Sequence, residues 1–436
     1  MVTDPSDGRR RLVDPRPETM PVMTSTPFAW RRIALPAYGP TLATGAATGA
    51  LLPVAALRAH DELGASLATA GLVVALIGVG QLVGALPGGA LVARLGERRA
   101  LVLAGAVDVV AIAVSGFAPT LWLMAVGMFV TGLASSVFFL ARQGFMIDVL
   151  PPDRLARGMS LLGGSLRVGM LVGPAVGGAV VAVTGLQGAF GVAVAFAALS
   201  LAIVVMTPDI TGSHERAMAA REQEEGTPTM LGVLREHSRV LLTLGLGVLV
   251  ITGLRQARLV ILPLWATQIG LDGAQSSAVF AVAGVVELFL VYPAGWAMDR
   301  FGRAAIAGPM SFLLGATMIA LPLATDLVGL VVVACGMAVA NGLGAGIVMT
   351  IGADNAPVLG RAQFLGGWRF CGEIGNAGGA LAVAALTGLV SLTAAALTLG
   401  LAGLFGSGWV TYWVLRADRR RLRDRSRADE RAQSVS

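Results

Sequence analysis

The sequence predicts an all-α polytopic membrane protein whose twelve transmembrane spans fall into two pseudo-symmetric six-helix bundles. Three observations carry this. First, 55% of the residues are hydrophobic and 13% charged, with a mean hydropathy of +0.76, whereas soluble domains are about a quarter charged. Second, apolar stretches of roughly 20 residues recur, long enough as helices to cross a hydrocarbon core of about 30 Å. Backbone groups in lipid must be satisfied within the protein, so helices are the default for such runs. Third, the chain repeats itself: Pro293, Gly295, Arg300 and Gly302 stand 206 residues beyond Pro87, Gly89, Arg94 and Gly96, and the same offset carries Gln81 onto Glu287 and Asp148 onto Asp354. Internal repeats decide architecture before single residues do, and paired halves in a membrane protein place a shared site between them.

In chain order, residues 1–32 are polar, with Pro5, Pro15, Pro17, Pro21, Pro27 and an Arg9-Arg10-Arg11 run, and read as a disordered tail. No cleavable leader is read before the first apolar run near Ile33. Spans are expected at 33–57, 67–92, 100–118, 120–147, 156–183 and 188–207, then at 240–266, 275–298, 303–323, 327–352, 361–388 and 391–415. They form an N-terminal bundle over 33–207 and a C-terminal one over 240–415. The 208–239 linker, rich in Glu, Arg and Ala, reads as partly helical with His214 and His237 solvated. The basic tail, 416–436, is expected to rest near anionic headgroups. Between the halves the offset drifts from 210 (Pro53 and Pro263) through 206 to 202 (Arg167 and Arg369). Loops shorten while helices hold register.

The net charge is +6 and the pI near 10.4, yet the placement of the charges argues against nucleic acid. Every basic side chain is Arg and none is Lys, which points to a GC-rich genome rather than to a binding chemistry. One side carries Arg9–Arg32, Arg94–Arg99, Arg154, Arg157, Arg216–Arg239, Arg300, Arg303, Arg361 and Arg416–Arg431, and the other only Arg58. The positive-inside rule makes the first side cytoplasmic, with both termini there, in a bacterial plasma membrane. A phosphate-binding glycine loop with Lys is absent, as is a nucleophile with a paired base, so neither an ATP-driven pump nor an enzyme is expected. Cys335 and Cys371 lie in apolar stretches without metal-ligand spacing, and no metal or cofactor is expected.

Two motifs stand out. In the turn after the eighth span, Gly295, Asp299, Arg300, Gly302 and Arg303 are so spaced that Gly295 permits close helix contact, Asp299 ends a helix within reach of cations, and Gly302 turns the chain. The first-half copy keeps Gly89, Arg94 and Gly96 but has Ala93 for the Asp and Glu97 for the last Arg. In the fifth span Gly169, Gly173, Pro174, Gly177 and Gly178 make a small-residue face with a proline bend. Its second-half partner keeps Gly375, Gly378 and Gly379 but has Asn376 for Pro.

With two six-span halves, residues 33–415 resemble the major facilitator superfamily, whose turn motif G-x-x-x-D-R-x-G-R is matched in full by Gly295–Arg303. The resemblance implies a monomer that carries a small-molecule substrate by alternating access, with the turn as a latch between the halves. The run Gly169–Gly178 is similar to the signature of the superfamily's exporting antiporters, which implies efflux of amphiphilic, drug-like molecules in exchange for protons. An uptake or organic-anion carrier, and a transport-dead sensor of the same fold, are the alternatives.

Charges at depth cost about 2.5–3.5 kcal/mol each on insertion scales and are functional candidates. On these spans they are Asp108, Arg142, Arg167, Arg255, Arg258, Glu287, Arg369 and Glu373. Arg255 and Arg258 share a face of the seventh span, and in the resembled family the first, fourth, seventh and tenth spans line the cavity. They are therefore substrate candidates, able to receive an anion or hold Glu287, with Asn341, Trp368 and Arg369 beside them; for Asn341 and Trp368 packing is the more common explanation. Glu287, Asp108 and Glu373 are the proton-coupling candidates, since a desolvated carboxylate can exchange protons near neutral pH. Asp108 is expected in a buried structural pair, and Arg369 and Glu373, four residues apart, are placed to neutralise one another. Met128 stands where the resembled family often has an Arg, and Arg142 has Val348 as its counterpart.

Overall fold

The computed structural model describes residues 30–207, 228–271 and 273–435; the tail before residue 30 and most of the linker, with His214, lie outside the described residues. Six long helices build the first half: α1 (Trp30–Asp61), α2 (Leu67–Leu95), α3 (Glu97–Phe117), α4 (Leu121–Val149), α5 (Leu155–Thr184) and α6 (Leu186–Met206). A short α7 (Met230–Glu236) leads into the second half. There follow α8 (Ser238–Gln268), α9 (Gly273–Phe301), α10 (Ala304–Ala320), α11 (Leu327–Leu343), α12 (Ile347–Asn355), α13 (Arg361–Leu389) and α14 (Leu392–Val435). Helix starts and turns follow local chemistry. Ser66 accepts from the Thr69 amide and Asp326 from the Gly329 amide. Gly96 and Gly302 take φ of 79° and 90° at the equivalent α2–α3 and α9–α10 turns, where a Cβ would be strained.

The halves pack alike. In the first, α1 lies on α5 and α6, and α4 on α2 and α3; in the second, α8 lies on α13 and α14, and α11 on α9 and α10. Glycine permits the closest of these approaches. Gly45 and Gly49 of α1 meet the backbone of Leu166 and Met170, while Gly169 and Gly173 of α5 meet Leu42 and Ala46 in return. Gly375 and Gly379 of α13 repeat this against Leu249 and Gly253 of α8. The fifth-span glycine run is thus a packing face within one half, and Gly178 faces open space.

Two expectations are corrected. The tenth span is not continuous: α11 ends at Leu343 and α12 starts at Ile347, with Gly346 left-handed at φ 73° between them. The break frees carbonyls, and buried donors meet them, Arg255 Nη2 at Gly344 O (2.5 Å) and Ser160 Oγ at Ala345 O (2.6 Å). His237 is not simply solvated; it is half-buried, its ring edge-on to Phe364 with centroids 5.6 Å apart. Among the described residues eleven helical stretches, counting α11 and α12 as one, are long and apolar enough to cross a membrane. The remaining span, α13, carries Arg369, Glu373 and Asn376, and it packs between α8 and α2.

The hydrophobic core shows how the halves meet. On the arginine-rich side one cluster unites them, with Val92, Leu101 and Phe138 packed together with Met298, Ile351, Phe364 and Trp368. On the other side each half keeps its own cluster, around Leu51, Ile77 and Phe190 in the first and Ile261, Leu314 and Val383 in the second. The molecule is closed towards its arginines and parted away from them. Gly169→Leu should lower the thermal stability of the detergent-purified protein by roughly 1–3 kcal/mol through overpacking against α1. Gly178→Leu, with open space at its Cβ, should leave it unchanged; equal losses would refute the packing assignment.

Candidate functional site

At the centre of the membrane-spanning region the two halves are joined by charge. Arg167 lies about 18 Å along α5 from its arginine-rich end and Glu287 about 21 Å along α9, at 1.5 Å per residue. Arg167 Nη1 approaches Glu287 Oε1 at 2.7 Å, as an ion pair without the alignment of a hydrogen bond. From within the second half, Asn341 Nδ2 donates to the same oxygen at 2.7 Å, and Arg258 Nη2 pairs with Oε2 at 3.1 Å. Glu287, Arg258 and Asn341 are buried, whereas the Arg167 side chain is 27% exposed. Gly342 lets α11 close onto the backbone of Glu287. With Arg255 at the nearby helix break, the cluster holds three guanidiniums and one carboxylate.

The sequence-derived candidates divide accordingly. Glu287, Arg258 and Asn341 are in direct contact, and Arg167, a membrane charge whose site role the sequence left open, completes the cluster. Arg255 bonds the broken tenth span rather than a carboxylate. Trp368 is no cavity residue: it is buried at 2% exposure, donates through Nε1 to Val348 O and lies against Gly352, an indole filling the space a glycine leaves. Arg369 pairs with Glu373 at 3.0 Å and lies over the Phe139 ring at 5.1 Å, and Asn376 donates to Glu373 Oε2. Asp108 does not form the expected buried pair. Its Oδ1 has no hydrogen-bond partner among the described residues, beside a small void of about 10 Å³ lined by Thr44, Ser135 and Ser200. Arg142 donates to Pro36 O and Ala37 O of α1 and packs on Phe145. Pro40 removes the amide that Pro36 O would otherwise receive, and Arg142 replaces that donor.

Nearer the arginine-rich side, two polar contacts close the halves. Asp299 accepts from the amides of Ala156 and Arg157 at 3.0 and 3.1 Å and from Arg157 Nε at 3.0 Å. A carboxylate thereby caps the first turn of α5 from the other half, where the helix dipole favours it. Arg303 grips Asp354 at 2.6 Å and lies 3.8 Å from Asp299. On the pseudo-symmetric side, where Ala93 replaces the Asp, Arg361 of α13 crosses to Asp148 at 2.5 Å and to Glu97 at 3.8 Å. Glu97 replaces the missing carboxylate only in part, and Asp148 supplies most of it. Gly295 and Gly89 let the partner backbones approach at these crossings, against Arg157 and Ala362 respectively. Gly96 and Gly302 make the turns, while Arg94 and Arg300 are exposed.

Spin labels on Arg94→Cys and Arg300→Cys, in a Cys335→Ser, Cys371→Ser background, report the separation of the halves by pulsed electron resonance. Asp299→Asn and Asp148→Asn should each move population to longer distances, and Glu97→Gln less so. Unchanged distributions in both Asp variants would show that these contacts do not hold the closed side.

A family model for the Major Facilitator Superfamily matches residues 41–351 and 244–436. The uncharacterized MFS-type transporter Rv2456c of Mycobacterium tuberculosis is 30% identical over 276 residues, covering 61% of this chain and 63% of that protein. The chain thus spans less than two thirds of that relative's length. The uncharacterized MFS-type transporter YfkF of Bacillus subtilis is 28% identical over 171 residues, 37% of this chain and 43% of its own. Among solved structures, the human organic anion transporter MFSD10 (TETRAN) superposes with a TM-score of 0.74 at 17% identity, over 88% of this chain and 99% of that one. The proton:xylose symporter XylE superposes with a TM-score of 0.72 at 16% identity, over 88% and 95%. Both likenesses are of fold. The two bundles, their charged turns and the family match together place the chain in the major facilitator superfamily, as a multi-pass membrane protein.

Proposed function

We propose that the chain is a secondary transporter working by alternating access, that its substrate is an organic anion, and that its arginine-rich side lies in the cytoplasm. The observation that carries the substrate class is the midplane cluster, in which Arg167 and Arg258 share one carboxylate and Arg255 stands at the adjacent helix break on Gly344 O. Such an excess of positive charge at depth is costly unless something neutralises it. A substrate carboxylate, sulfonate or phosphate meets guanidiniums through strong, often bidentate hydrogen bonds, whereas a lipophilic cation is repelled. On this orientation the closed state is outward-facing, and Arg167 is the reachable member of the cluster.

An anion that takes Arg167 and Arg258 leaves Glu287 without its cations. A buried carboxylate so stripped neutralises by taking up a proton, and anion and proton then cross together. Proton-exchanging export of amphiphiles is the second reading, favoured by the intact Gly169–Gly178 run. It requires Glu287 to release its proton when substrate binds.

Proteoliposomes loaded with a pH indicator separate the two. Aromatic and aliphatic carboxylates and sulfonates should enter with protons, and Arg258→Gln should lower that flux at least ~10-fold, because a guanidinium proposed to bind the anion is lost. Glu287→Gln should keep anion flux but lose its proton. Flux of lipophilic cations against protons, with no anion flux, would overturn the anion reading in favour of exchange.

A further inference from the structure

The cytoplasmic end of the second half carries a cleft that the transport site does not use. It has a volume of about 460 Å³ and lies where α8 begins, beside α12 and the stretch of α14 that leaves the apolar span. Arg239, Arg416 and Arg420 stand on its walls, and the Arg303–Asp354 pair and Trp413 also line it. A neighbouring hollow of about 510 Å³ shares Arg416 and Arg420 and adds Arg419 and Tyr412. The carboxylates of the cleft are engaged, Asp354 by Arg303 and Asp418 by the Ala304 amide. Among the described residues Arg239, Arg416 and Arg420 have no carboxylate partner. Arg416 is fixed instead over the Trp413 ring at 5.6 Å and by the Tyr412 hydroxyl at 3.2 Å.

The flank of the cleft is apolar and faces outward. Leu242 is 72% exposed and Tyr412 56%, with Leu246 and Trp409 exposed beside them. Trp409 Nε1 donates to Thr243 O and ties α14 to α8 along this flank. Unpaired guanidiniums at the membrane surface, continuous with an exposed apolar strip on the spans, match a ligand with an anionic head and hydrocarbon tails.

We infer that this cleft binds an anionic phospholipid, its phosphate held by Arg239, Arg416 and Arg420 and its acyl chains lying on the Leu242–Leu246 and Trp409–Tyr412 faces. Guanidinium forks bind phosphate oxygens in pairs, and basic pockets between spans on the cytoplasmic side are suited to such headgroups. The site is separate from the midplane cluster and stands whether or not the substrate is an anion.

The full-length protein in neutral detergent is titrated with dioleoyl phosphatidylglycerol, dioleoyl phosphatidylcholine or glycerol 3-phosphate, reading the unfolding temperature and the lipid adducts in native mass spectra. Phosphatidylglycerol alone should raise the midpoint and remain bound, with an apparent affinity at least ~10-fold weaker in the Arg239→Gln, Arg416→Gln, Arg420→Gln variant. Arg239→Gln alone should weaken it less. An Arg423→Gln, Arg425→Gln, Arg427→Gln control should bind as the parent does. Equal retention in the first triple variant, or loss in the control, would assign the lipid to the tail and overturn the site. An equal shift with glycerol 3-phosphate would show that it takes soluble phosphates instead.

Discussion

A guanidinium in the membrane interior must find a partner there, and this requirement orders the whole molecule. Arg142 takes the α1 carbonyl that Pro40 leaves without a donor. Arg255 takes a carbonyl freed where the tenth span breaks. Arg58, the lone arginine of the opposite side, donates to Gly116 O and Ala118 O at the end of α3. Each of these converts a backbone irregularity and a buried charge, both costly alone, into one satisfied contact. Arg167 and Arg258 differ, because they share the single carboxylate of Glu287. Among the described residues, that shared carboxylate is the one place at the membrane centre where the halves are joined by charge.

The two closing contacts show what duplication followed by divergence does to a charged turn. In the second half Arg303 occupies Asp354, which leaves Asp299 for the first turn of α5. In the first half the residue at the Arg303 position is Glu97, so Asp148, the counterpart of Asp354, has no arginine at that position to hold it. It is therefore open to Arg361 from the other half. One sign change at one position moves an ion pair from within a half to between halves. The turn that had lost its Asp keeps a closing contact by different means.

The fold was legible because its determinants are additive along the chain: apolar length, arginine placement and a repeat register that survives in Pro87 and Pro293. The exception is instructive. Residues 341–346 read as part of a smooth apolar span, yet Gly342, Gly344 and Gly346 there mark where the backbone meets Glu287, Met310 and Ser160. Glycine lowers hydropathy too little to announce a break. Within the site, Glu287, Arg258 and Asn341 were legible from their depth. Arg167 was visible only as a charge, since its partner lies 120 residues away in the other half and no local spacing encodes the pair. Trp368 took the packing alternative, which the sequence could not separate from a cavity role, because an aromatic beside an Arg looks the same whether it lines a cavity or fills the space over Gly352. Asp108 lacks its expected pair, since hydroxyl neighbours rather than a cation surround it.

On the proposed alternating-access reading the joined side also comes apart, and part of its construction suits that. Where the halves touch most closely they do so through glycine and small residues, Gly89 on Ala362 and Gly366, Gly295 on Ser160, and Gly164 on Val291. Such faces separate without repacking large side chains, whereas interdigitated cores are bistable and resist sliding. What holds them is the apolar cluster shared by Val92, Phe138, Phe364 and Trp368, together with a carboxylate on a helix end, worth about 0.3–2 kcal/mol, and the Arg157–Asp299 and Arg361–Asp148 ion pairs. A ligand whose affinity for two states differs by about 5.5 kcal/mol carries a population from one extreme to the other. On that reading the midplane ion pair is where such a ligand would act, because Arg167 and Glu287 belong to different halves. Breaking that pair leaves Arg167 without its carboxylate, while Glu287 keeps Arg258 and Asn341. On the proposed anion reading, a substrate anion then serves Arg167 and Arg258 and a proton serves Glu287.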